Sequence, residues 1–225
     1  MAAVAVGLGL YLWPALSAPV ILRSDSQIDL DWARNGFGVL RPRSLAEPQG
    51  AGGHPLKPGY VLFLRLGLVL PFSSEPERRI IIFQSLLLLA AIGTSAAYLA
   101  WRGRVAIGLT VLAMLLVFLR LRDSCSAVMS EASAEALLLP LAAFILEPPL
   151  GALPAVVAGG LAGALILVRP NAGMPFALFL LVRYLLRRRR SAVIYSAAVA
   201  VVVLPVLFSH VARRQWQSLP RVLRG

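Results

Sequence analysis

The sequence is short of charge: 14% of its 225 residues are Asp, Glu, Lys or Arg, against 59% that are hydrophobic. A soluble domain of this length sheathes one core in charged residues that make up about a quarter of the chain, so an ordinary soluble fold is excluded. Cysteine is nearly absent. The single Cys125 cannot close an internal disulfide, and with two histidines there is no Cys/His spacing for a structural zinc, which removes redox and zinc-finger readings. Internal repeats, heptads and low-complexity tails are also missing, which excludes a solenoid or an oligomeric stalk. Lysine occurs once, because 21 of the 22 basic residues are Arg. The net charge of +12 would suggest nucleic acid in a soluble chain. Here the arginines sit at the ends of apolar blocks, where interfacial anchoring accounts for them, and no nucleic-acid partner is expected.

What is present is apolar sequence in blocks approaching bilayer thickness, with a mean hydropathy of +0.79. At about 20 residues per span, this predicts an all-α polytopic transmembrane helical bundle of about seven spans. They fall at 2–22, 80–101, 105–121, 127–146, 150–168, 172–186 and 192–210, in a single transmembrane module over 1–225. The polar stretch 23–79 reads as one long extracytoplasmic loop between spans one and two. Its apolar part, Tyr60 to Phe72, is bounded by Pro58-Gly59 and Pro71 and is too short to span, so it is expected at the interface. For the first block a cleavable signal competes, since Leu16-Ser17-Ala18 resembles a cleavage site. It lacks a basic n-region, however, and Pro19 would follow the cut. With a cytoplasmic amino terminus, Arg102, Arg104 and the run 187–190 fall inside and the loop outside, as the positive-inside rule asks.

The most unusual local sequence is Ser24-Asp25-Ser26-Gln27-Ile28-Asp29-Leu30-Asp31-Trp32, directly after the first block. If it is helical, Asp25 and Asp29 share a face; if extended, Asp25, Asp29 and Asp31 project to one side. Clustered carboxylates near a low-dielectric boundary raise one another's pKa, which suits a general base, and they could equally hold a divalent cation. Spacing leaves a merely solvated acidic loop open as well. Glu131 and Glu135, four apart after Ser130, stack on one helix face at the start of an apolar block. Ionisable groups at membrane depth face a cavity or a partner, unless the helix starts late and leaves both in water. His54 and Lys57, the only lysine, stand beside Tyr60 in a Pro/Gly-rich segment. They suit a phosphate headgroup, and a rigid turn with a snorkelling Lys is the alternative. Arg169, before Pro170, is either a phosphate ligand or an interfacial anchor. The run Gly159-Gly160-Leu161-Ala162-Gly163 lacks the Lys-Ser/Thr of a phosphate loop and reads as close helix packing. His210 reads as a packed or interfacial residue.

Taken in order, these pieces resemble the amino-terminal half of the glycosyltransferase-C superfamily, in the group of dolichyl-phosphate-mannose protein mannosyltransferases and lipid A aminoarabinose transferases. There an apolar first span precedes an acidic motif of the Asp-Glu kind, then Tyr, a small residue and often Arg. Here Asp25 holds the first position and Ala33-Arg34 the later ones, while Ser26 and Asp29 stand where Glu and Tyr are usual. Lys57-Pro58-Gly59-Tyr60-Val61-Leu62-Phe63-Leu64 is similar to a Pro-Pro-Gly-Tyr-Pro-Leu-Phe-Leu segment, with Lys57 in place of the first Pro. Ser130-Glu131 matches a Ser-Glu pair opening the fourth span, and Gly159 to Pro170 with Arg187 resembles the Gly-rich span, Arg-Pro turn and basic end.

The resemblance implies an integral membrane enzyme of the bacterial inner membrane with an extracytoplasmic active site. It would act as a hexosyl- or pentosyltransferase, moving a sugar from a polyprenyl-phosphate donor to a glycan, lipid or protein acceptor. Asp25 would engage the acceptor nucleophile, with Asp29 or Asp31 supplying a second carboxylate. His54, Lys57, Tyr60, Glu131 and Arg169 would bind substrate. No nucleotide cofactor is implied, and a divalent cation is left open. Family members continue for several further spans, so this sequence reads as a core module. The competing classes are a transporter or flippase for a lipid-linked intermediate, which predicts inverted repeats and broken helices, and a non-catalytic assembly subunit.

Overall fold

The computed structural model describes Gly9 and residues 12–22, 29–30, 33–34, 57–109, 127–128, 130–149 and 151–222, with side chains of the last helix described as far as Phe208. Described secondary structure is predominantly helical. The principal helices are α1 (Pro58–Val69), α2 (Pro76–Trp101), α3 (Ser130–Leu146), α4 (Ala152–Val168), α5 (Pro170–Arg187) and α6 (Arg189–Val222). A helical segment at 12–17 precedes them. Two short strands, β1 (Ile21–Leu22) and β2 (Ala127–Val128), pair in parallel with Ile21 opposite Ala127 and Leu22 opposite Val128.

Helix boundaries follow the Pro and Gly residues. α1 opens with Pro58 at its first position, where a missing N–H costs nothing. It stops at Leu70, extended at φ −74° and ψ 135°, because Pro71 disfavours helical geometry in the residue before it. α2 also opens with a proline, Pro76, and places Glu77 in its first turn against the positive end of the helix dipole. Its far end closes through Gly103 at φ 76°. The Gly103 N–H donates to Ala100 (3.0 Å) and the Arg104 N–H to Leu99 (2.9 Å), the paired bonds of a Schellman cap. Beside that cap Arg102 lies 5.9 Å from the centre of the exposed Trp101 ring, a pairing suited to a membrane interface.

Among the described residues two helices, Pro76–Trp101 and Arg189–Phe208 within α6, are long and apolar enough to cross a membrane. The expectation of about seven spans is not supported by the described residues. The block at 127–146 is the 17-residue α3 and that at 150–168 the 17-residue α4, each about 26 Å long against a hydrocarbon core of about 30 Å. Pro148-Pro149 and Gly151, and then Pro170, cut these helices short. The block at 172–186 is the 18-residue α5, which carries Arg183 and Arg187. Nine of the 21 residues in 2–22 and twelve of the 17 in 105–121 lie outside the described residues. The long loop 23–79 is not supported either. Where it is described it holds helical residues at 29–30 and 33–34 and the whole of α1, and α2 starts at Pro76.

The chain divides into two compact units, Met1–Ala143 and Phe144–Gly225. In the first, α1 packs on α2, and Tyr60, Val61 and Leu64 of α1 and Ile80 and Ile81 of α2 are all at most 1% exposed. Phe63 stacks on Phe83 at 4.8 Å between ring centres. A second cluster joins Leu88, Ala91 and Ile92 of α2 to Ala136 of α3. The buried Ser85 and Ser95 hydroxyls donate to Ile81 (2.9 Å) and Ala91 (2.6 Å), one turn back along α2, so neither is an uncompensated polar group in apolar surroundings. Two arginines of α2's first turn tie neighbouring segments down: Arg79 donates to the Leu68 carbonyl of α1 (3.2 Å) and Arg78 to the Leu16 carbonyl.

In the second unit, α4 packs against α5 and α6. The expected small-residue seam is present: Gly159 and Gly163 on α4 leave no room for a Cβ beside Tyr195, Ala198 and Val202 of α6. Much of the outer apolar surface of α6, including Val193, Val201 and Phe208, is uncovered by protein, as suits a lipid-facing helix.

Candidate functional site

The amino-terminal ends of α1 and α3 carry the polar centre of the first unit. The β1–β2 pair sets the stage, since Val128, opposite Leu22, lies two residues before Ser130. Lys57 immediately precedes α1 and reaches across 73 positions of sequence to donate its Nζ hydrogen to Ser130 Oγ at 3.1 Å. The Ser130 hydroxyl in turn donates to Glu131 Oε2 at 3.4 Å. A lysine is the wrong residue for a helix start. It offers no acceptor to the free N–H groups and brings positive charge to the positive end of the dipole, and it makes no side-chain cap here. Its bond to Ser130 holds it there.

One turn further along α1 is Tyr60, 1% exposed. Burial pushes its phenol well above the ordinary tyrosine range. The negative charge of Asp29 pushes it further, the Gln84 amide opposes the rise, and Glu131 adds a smaller upward push. The hydroxyl therefore stays protonated at neutral pH, able to donate a hydrogen bond rather than to act as a base. The structure thus brings Asp29, Lys57, Tyr60 and Glu131 around Ser130 and Gln84. Apart from Gln84, all were quoted from the sequence, Ser130 as part of its Ser-Glu pair.

The acidic segment is pinned against this centre. Leu30 and Ala33 are buried at 2% and 3% exposure. Arg65 of α1 donates its Nε hydrogen to the Ala33 carbonyl at 3.0 Å, and Arg34 forms an ion pair with Glu77 at the start of α2. Asp29, in this segment, is half-buried and helical. Glu135 shares α3 with Glu131 one turn on and is likewise half-buried.

Asp25, Asp31 and His54 lie outside the described residues. Arg169 belongs to the second unit, where its backbone joins α4 to α5: its N–H closes α4 on Leu165 (2.7 Å), and Pro170 forces the extended break at Arg169. Among the described residues no group of three or more His, Cys, Asp or Glu could hold a metal ion. Gln84 was missed by the sequence reading. Its signal is a lone amide within the apolar block 80–101, where a polar side chain needs a buried partner.

With a cation, a neutral phenol and two carboxylates at one helix-end junction, the centre can both bind an anion and accept a proton. Comparison with known protein families, curated proteins and solved structures finds no match.

Proposed function

We propose that the chain is a membrane glycosyltransferase, or the core module of one, that moves a sugar from a polyprenyl-phosphate donor to an acceptor hydroxyl on a glycan, lipid or protein at the extracytoplasmic surface. The observation that carries this reading is the junction of Lys57, Ser130 and Glu131 over the buried Tyr60, with Asp29 alongside. A donor anchored in lipid by its isoprenoid must react at the membrane surface, and its chemistry involves two charges. Negative charge grows on the phosphate as it leaves, and a proton departs from the acceptor oxygen.

In this reading Lys57 offsets the phosphate charge and Tyr60 donates a hydrogen bond to the same group. The acceptor oxygen attacks the anomeric carbon, the bond to the phosphate oxygen breaks, and the proton passes to a carboxylate of the acidic segment. Resemblance assigns that carboxylate to Asp25, with Asp29 as the second negative charge. Glu131 holds Lys57 in place through Ser130.

The test is transfer of a labelled hexose or pentose from polyprenyl phosphate by the full chain in proteoliposomes. Transfer by the wild type that Lys57→Met and Asp25→Asn each lower by at least about 100-fold, with helical content unchanged, supports the reading. Absence of transfer from every such donor, or wild-type rates in both variants, overturns it.

A further inference from the structure

The second unit carries a charge imbalance that the proposed transfer leaves unused. Glu147 is the only carboxylate side chain between Phe144 and Gly225, and ten arginines stand against it. Four are consecutive, Arg187 to Arg190, and all four are exposed. Arg187 ends α5, Arg188 crosses to α6 in extended backbone at φ −157° and ψ 107°, and Arg189 and Arg190 open α6. Among the described residues none of these four side chains makes a hydrogen bond or ion pair. Other arginines behave differently. Arg183, one turn earlier, donates to the Leu146 carbonyl at the end of α3 (3.5 Å), and Arg34 and Arg78 of the first unit pair with Glu77 and Glu75.

Four neighbouring guanidinium groups repel one another, and the turn adds to that cost. The first turn of α6 holds no acidic residue, so the positive end of its dipole reinforces the arginine charge. No carboxylate among the described residues pairs with these arginines, so anions from elsewhere supply the compensation. The surroundings indicate which anions. Leu186 (79% exposed) on α5 and Val193 (69% exposed) on α6 flank the turn, and α6 runs on to Phe208 as a helix of membrane-crossing length and composition. Phosphates stacked above apolar surface are the arrangement of a lipid leaflet, whereas a soluble polyanion would meet greasy side chains beside its phosphates. Guanidinium forks also match phosphate oxygens two at a time.

We propose that the Arg187–Arg190 turn is a binding site for the phosphate head groups of anionic phospholipids. It recruits them from a mixed bilayer to the junction of α5 and α6, independently of the transfer reaction assigned to the first unit.

The experiment uses the full chain in phosphatidylcholine bilayers doped with photoactivatable phosphatidylglycerol or, separately, photoactivatable phosphatidylcholine. Labelling of residues 185–193 is mapped by mass spectrometry. At low salt the wild type is expected to be labelled at least about fivefold more by phosphatidylglycerol, the ratio corresponding to about 1 kcal/mol for one arginine near an anionic surface. The R187Q/R188Q/R189Q/R190Q variant should show no preference. Because loss of four charges can disturb insertion, the wild type is also labelled across rising salt, where screening should bring the ratio toward one. Equal labelling by the two lipids at low salt, a preference indifferent to salt, or one that survives in the inserted glutamine variant overturns the proposal. So does displacement of the label by single-stranded RNA at concentrations that leave an uncharged polymer without effect.

Discussion

Gly159 and Gly160 are adjacent on α4, yet a methyl group added to each meets opposite surroundings. At Gly159 it would stand 2.5 Å from the Tyr195 carbonyl oxygen and 2.7 Å from Ala198 Cβ, where ordinary contacts start near about 3.5 Å. The nearest obstacle is backbone, which cannot swing away, so α4 and α6 would have to part by roughly 1 Å. That movement would open the seam one turn on, where Gly163 leaves only 2.9 Å between a would-be Cβ and Val202. It would also strain the bond from Tyr195 Oη to the Ala177 carbonyl (2.9 Å). Gly160 has nothing within 4 Å of the added carbon. Gly159→Ala is therefore expected to cost about 1–3 kcal/mol, the range for forcing a methyl into a packed interior. Gly160→Ala should gain up to about 1 kcal/mol from the better helix former. The assay is reversible unfolding in mixed micelles of increasing dodecyl sulfate content, followed by circular dichroism. Equal midpoints for the two alanine variants would refute the close α4–α6 seam.

Two further outcomes concern the polar centre. Burial, then Asp29, raise the Tyr60 phenol above its ordinary value of 10.0, so the unfolded chain loses this proton at lower pH than the folded one. Stability should accordingly fall as pH rises above about 10. Tyr60→Phe should make that alkaline decline shallower, as read from unfolding midpoints between pH 8 and 11, and a decline of unchanged steepness would contradict the buried phenol. Arg65→Met removes the donor to the Ala33 carbonyl, a charged hydrogen bond worth about 1.5–3 kcal/mol. Amide exchange at Leu30 and Ala33 should speed up while the middle of α2 keeps its protection, and identical exchange in both proteins would mean that Arg65 does not hold the acidic segment.

Much of this architecture is legible in the sequence because punctuation and composition agree. Pro58, Pro76 and Pro170 start helices where the apolar blocks begin, and the Gly159–Gly163 spacing announces a close helix contact. Helix length was misjudged where counting apolar residues ignored the stops. Pro148, Pro149 and Gly151 end and restart the chain between α3 and α4, leaving helices too short for the spans drawn from hydropathy. The β1–β2 pair was not visible either, because two-residue strands inside apolar sequence have no period to read. At the polar centre, residue type pointed to Asp29, Lys57, Tyr60 and Glu131 one by one. Spacing could not join Lys57 to Ser130, since nothing local links a lysine to a serine so far along the chain. Gln84 was not singled out, because its role depends on Tyr60, which only the fold sets beside it.

The bond from Lys57 to Ser130 also constrains the order of events during synthesis. Its two ends are 73 positions apart, so at about 5–20 residues per second the ribosome needs ~4–15 s between making one and the other. Until then the nascent α1 holds an ammonium with no protein partner, and the entropy of closing so long a stretch weighs against early capture. Completion of this centre thus has to wait for α3, and translation pausing between the two residues would prolong the interval in which quality control meets an unfinished bundle.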